Sequence, residues 1–125
     1  MSNVNGALEK ARSDAQNLHK RIVAATGKDH AAIRAEAQGV AARARELAQT
    51  VKANVEGQQI DVQQHLKDAG AALESLASDA KSLASAGDAN LKSKNRAALA
   101  HARLATQQLS QAVAAKRSTA QLIHS

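Results

Sequence analysis

The sequence predicts an all-α protein, an antiparallel up-down-up-down four-helix bundle whose basic last helix overhangs the other three. Apolar residues recur every three or four positions along nearly the whole chain, which is the spacing of amphipathic helices. Gly27, Gly57 and Gly87 stand thirty residues apart, and each closes a stretch of that pattern. Connections this short join antiparallel neighbours, and four such helices form a bundle. With 125 residues, one domain spanning 1–125 is expected, with helices at about 3–26, 30–56, 59–86 and 89–121.

In the first stretch Val4, Leu8, Ala11, Ala15, Leu18, Ile22 and Ala25 alternate steps of four and three, a heptad seam. Gly27 suits a left-handed position after that helix, and Asp29 is a candidate N-cap for the next. The second seam runs through Ile33, Ala37, Val40, Ala44, Leu47 and Val51. Gly39 interrupts this helix at a cost of about 1 kcal/mol against Ala, which points to a close backbone contact.

The third seam, Val62, Leu66, Ala69, Leu73, Leu76, Ala80 and Leu83, is out of phase with the second by one residue. A turn at Glu56-Gly57-Gln58 accounts for the slip, and so does a phase shift within one long bent helix. The turn is favoured because Gly57 matches the other two glycines. Asp88 is a second N-cap candidate, and Leu91, Ala98, Ala102, Ala105, Leu109, Ala112, Val113, Ala120 and Ile123 then share one arc of the last helix. That helix is some ten residues longer than the others, an overhang of ~15 Å. Asn95 falls in its seam, where a polar residue fixes register at a cost in stability.

Phe, Trp, Tyr, Pro and Cys are all absent, while Ala supplies thirty-one residues. The core is therefore built from Leu, Ile, Val and Ala at close approach. A long helical hairpin that becomes a bundle only as a dimer is the competing architecture, because Ala-rich seams bury little surface against conformational entropy. Without Cys there is no disulfide framework, thiolate zinc site or cysteine nucleophile. No apolar run approaches the ~18–20 residues that span a bilayer. The opening residues lack the basic and apolar regions of a signal peptide, so a cytoplasmic location is the default expectation.

His19, His30, His65, His101 and His124 are scattered, and no Glu-x-x-His pair exists for a di-iron bundle. Asp61 and His65 supply two ligands on one face, too few for a metal site. No Gly-rich phosphate loop is present, and the serines of the third helix lie on polar faces. The expectation is a protein with no enzymatic activity, cofactor or metal.

Charge is the stronger functional signal. Residues 1–88 hold eleven Lys/Arg and eleven Asp/Glu, so the net charge of +6 lies entirely on the last segment. On a helical wheel Lys92, Arg96, Arg103 and Arg117 line one flank of the apolar arc, a candidate contact for a partner or for nucleic acid. Val113, Leu122 and Ile123 continue the apolar spacing into the overhang and form a candidate assembly contact. The function expected is helical assembly or partner binding through this basic, apolar-flanked helix, with the protein itself or a helical, acidic protein as partner. The alternative is sequence-independent binding of nucleic acid, which the lack of stacking aromatics and of a reader motif weighs against. Ala-rich, narrow faces argue against a membrane partner.

The stretches Glu36 to Arg45 and Ala105 to Ala115 resemble the Ala/Gln/Arg-rich text of small helical secretion substrates that carry a Trp-x-Gly turn. With no Trp in the chain that turn is missing, so no secretion function or site residue follows.

Overall fold

The computed structural model describes the backbone of residues 2–25, 27 and 29–124 and the side chains of residues 8–25, 27 and 29–116. Four helices, α1 (Ser2–Ala25), α2 (His30–Ala53), α3 (Ile60–Ser85) and α4 (Leu91–His124), are joined by short connections, with one 3-10 turn at Asp88–Asn90. No strand occurs among the described residues. α3 packs along both α2 and α4, and α1 packs less extensively on the same two helices. The result is an all-α four-helix bundle with α1 and α3 on one diagonal and α2 and α4 on the other.

Where side chains are described, the seams read from the sequence are the buried faces; Val4, Ala120 and Ile123 lie outside the described side chains. Leu8, Ala11, Ala15, Leu18 and Ile22 of α1 meet Val40, Ala44, Leu47 and Val51 of α2, and Ala98, Ala102, Ala105 and Leu109 of α4, in one cluster. α3 contributes the side chains buried most completely, among them Leu66, Leu73 and Leu76, each fully shielded from solvent. Ala25, Ile33, Ala37, Leu83 and Leu91 form a smaller cluster that closes the end where α1 and α3 stop. Between the two clusters a cavity of about 10 Å³ lies beside Asn95, Ala80 and Val40, roughly room for one water.

The α2–α3 connection is a turn. α2 ends at Ala53, earlier than the expected 56, because the Asn54 side chain donates to Thr50 O at 2.8 Å and its backbone leaves the helical region. Gly57 then takes φ +86°, a left-handed conformation that glycine adopts without steric cost. Gln58 N donates to Val55 O at 3.3 Å, and Gln63 Nε2 reaches back to Gln58 O at 2.9 Å. The interruption of the helix between Ala53 and Ile60 accounts for the one-residue slip between the second and third seams.

The other punctuating glycines behave differently. Gly27 has no left-handed φ, and Gly87 lies at φ −73° in an extended exit that any residue can adopt. The α2 start rests on Asp29, whose Oδ1 accepts from Ala32 N at 2.8 Å. Asp88 makes no such cap at α4, since its carboxylate is turned toward α2 instead. Nor does Gly39 mark a close contact, because a Cβ placed there meets nothing within 4 Å. The close approach is at Gly70 on α3, where a Cβ would stand 3.1 Å from Cγ of Lys52.

These differences give opposite expectations for one substitution. Gly39→Ala should stabilise the bundle by about 1 kcal/mol, since the helix gains propensity in open space. Gly57→Ala should destabilise it by about 1–2 kcal/mol, the cost of a non-glycine residue at positive φ. Urea unfolding of both variants against the parent protein measures the two signs.

Candidate functional site

The bundle spends part of its charge on tying neighbours together. Arg34 on α2 donates through Nε to Ala86 O at 3.2 Å and through Nη2 to Asp88 Oδ1 at 2.5 Å. His30 Nδ1 approaches the same carboxylate oxygen at 3.0 Å. The start of α2 is thereby clamped to the α3–α4 connection. The aliphatic stem of Lys52 lies over Gly70 and carries its ammonium to the Glu74 carboxylate, joining α2 to α3. On the α3–α4 side His101 Nδ1 meets Asp79 Oδ2 at 2.5 Å and His65 Nδ1 meets Gln108 Oε1 at 2.9 Å. His65 therefore turns to α4 and is committed there, away from any ligand set with Asp61. Among the described residues no group of three or more His, Asp or Glu is placed to hold a metal.

The basic line of α4 is not used in this way. Lys92, Arg96 and Arg103 are exposed, and no hydrogen bond or ion pair engages their side chains among the described residues. His101 and Gln108 mark the side of α4 that faces α3. By helical periodicity the three cations lie about half a turn away, on the flank toward α1. Leu99, half-buried, packs against the core beneath them. The α4 helix carries six Lys/Arg and no acid, whereas α3 carries two lysines against four acids.

The other residues expected at a contact separate into two groups. Val113 is only 5% exposed and belongs to the main core cluster, so it packs inside the bundle and is not available to a partner. Its place on the seam, one position after Ala112, made it indistinguishable in the sequence from the overhang residues that follow. The side chains of Arg117, Leu122 and Ile123 lie outside the described residues. Lys116 Nζ donates to Gln58 Oε1 at 3.1 Å, which sets the level of the α2–α3 turn on α4, and α4 continues beyond it to His124.

A groove of about 700 Å³ runs between α1 and α2, a feature that sequence reasoning missed. Its floor is Ala11, Leu18 and Leu47, and Asp14, Arg21 and Arg43 stand along its walls. No hydrogen bond or ion pair joins these three charged side chains to a neighbour among the described residues. The sequence signal was the polar row Lys10, Asp14, Asn17 and Arg21, which flanks the α1 seam at helical spacing on the side of α2.

Comparisons with protein-family models, with curated proteins and with solved structures return no match for this chain. The class defined by fold and site together is an α-helical bundle with a segregated basic flank. None of the helices is long and apolar enough to cross a membrane among the described residues.

The Arg34 clamp has a pH signature. The Arg34 hydrogen bond holds Asp88 below the ordinary carboxylate range, partial desolvation opposes that shift, and the charge of His30 adds to it. A lowered folded-state pKa contributes stability that is complete above the unfolded value of about 3.9 and is lost as pH falls through the lower folded value. Thermal melts should therefore show Asp88→Asn less stable than the parent at neutral pH, with the gap closing only below about pH 4.

Proposed function

We propose that this protein acts by binding and not by catalysis, docking an acidic protein surface, its own copies included, on the α4 flank formed by Lys92, Arg96 and Arg103. The observation that supports the reading is the line of three exposed cations, which no carboxylate neutralises among the described residues. Charges used for internal stability are paired across helices, as in Lys52 with Glu74 and Arg34 with Asp88. A line of cations left in water instead raises the rate and selectivity of encounter with an anionic surface. Leu99, beneath the cations, adds an apolar strip that favours a helix over a bare polyanion.

Fluorescence anisotropy with a labelled Glu-rich helical peptide and with a duplex of unrelated sequence tests the assignment. The peptide should bind at low salt, and Lys92→Gln, Arg96→Gln and Arg103→Gln together should weaken binding at least about tenfold. Tighter binding of the duplex, lost steeply between about 50 and 200 mM salt, would move the assignment to nucleic acid. No binding of either probe at low salt would end the readings of an external acidic helix and of nucleic acid.

A further inference from the structure

The acidic surface that matches the α4 flank is present on this chain. Asp61 and Asp68 are exposed on α3; among the described residues no hydrogen bond or ion pair engages Asp61, and Asp68 accepts only from Gln64 Nε2 at 3.1 Å. They are seven residues apart, as are Arg96 and Arg103, so each pair spans about 10.5 Å along one face of its helix. Equal spacing and opposite sign let one helix read the other in a single register. From this complementarity we infer that the α4 flank of one molecule binds the Asp61–Asp68 ridge of a second copy, with the two helices parallel. The inference rests on the binding role proposed above for Lys92, Arg96 and Arg103, and it names the partner.

Three further features fall into place in that register. Setting Arg96 against Asp61 and Arg103 against Asp68 brings Lys92 to the α2–α3 turn of the second copy, where Glu56 is exposed. Ile60, 82% exposed and the residue before Asp61, arrives at the same end. The flank offers it an apolar counterpart in Val23, which is 50% exposed. Val23 lies two residues before Ala25, which clusters with Leu91 at the start of α4. By periodicity Val23 is on the side of α1 away from the groove residues Asp14 and Arg21, hence toward α4. Lys67 on α3 stands toward α2, off the acidic line.

The ridge and the flank are on different sides of the molecule, because the cations of α4 face away from α3. One contact therefore cannot be reciprocated within a pair, and the association is heterologous, adding copies head to tail. Exposed ion pairs are individually weak and screened by salt. Assembly is accordingly expected at high protein concentration and low ionic strength.

Sedimentation velocity of the intact protein and of two neutral variants tests this geometry. The parent mass should climb beyond a dimer with concentration and return to monomer at about 0.5 M salt. Arg96→Gln/Arg103→Gln and Asp61→Asn/Asp68→Asn should each stay monomeric while keeping the parent's helical circular dichroism, since all four positions are exposed. Mixed in equal amounts, they should form a 1:1 dimer and nothing larger, because one intact flank meets one intact ridge. A parent that is monomeric throughout, a variant that assembles like the parent, or a mixture that stays monomeric or grows past the dimer would each overturn the inference. A monomeric parent that still binds the Glu-rich peptide through the α4 flank would reject self-assembly and leave the binding role standing. Assembly by this pattern without peptide binding would do the reverse for external partners.

Discussion

Helix separation is the constraint from which the rest of this structure follows. With no aromatic side chain in the chain and Ala alternating with Leu, Ile and Val along the seams, the helices have to approach closely to exclude water. α3 meets this condition best. It lays Leu66, Leu73 and Leu76 between α2 and α4 and uses Gly70 to admit the stem of Lys52. α1 meets it least, because charged side chains flank its seam on the α2 side and leave the groove. His19 adds to the difference, since its Nε2 is buried without a hydrogen-bond partner, an arrangement that costs roughly 1–3 kcal/mol.

Polar contacts follow the same order. Links across α2–α3 and α3–α4 sit at the rim of well-packed seams, where Lys52 meets Glu74 and His101 meets Asp79. Such rim pairs add little energy one by one, but they fix which helix lies beside which. Cations beyond the reach of a neighbouring acid stay in water. Charge is therefore sorted by helix, with α4 wholly basic and α3 net acidic, and a bundle sorted in this way presents different electrostatic faces on different sides.

Much of the fold was legible because seams are periodic. The heptad steps from Leu8 to Ala25 and from Val62 to Leu83 identify buried faces without reference to any partner helix. Asp29 was legible as a cap because its side chain acts within its own first turn. Asp88 was not, since its partners Arg34 and His30 are more than fifty residues away and only the fold brings them together. The glycines show the same limit. Gly57 needs positive φ and Gly70 needs space, but Gly39 needs neither; the thirty-residue spacing singled out Gly57, while nothing in the sequence told Gly70 from Gly39. For the candidate site, the basic flank could be drawn on a wheel. Which helix it borders, and that Val113 lies inside the core, depended on how α1 and α3 surround α4.

The square arrangement also sets the order in which the molecule can be assembled from an open chain. α2 and α3, like α3 and α4, are joined by short turns, so their seams meet after the closure of small loops. The α1 seam shares its core with Ala98, Ala105 and Leu109 of α4, about eighty to a hundred positions along the chain. Contacts of such long separation form late, because the entropy of closing the loop is lost before any burial compensates it. α1 and α2 are joined as briefly, so the α1–α4 seam is the one contact between neighbouring helices that no short connection brings together, and it closes the square at the largest loop-closure cost. Opening of that seam alone would bare the apolar faces of α1 and α4 while leaving every short connection in place, which makes it the edge of the bundle at which a helix from elsewhere could be captured.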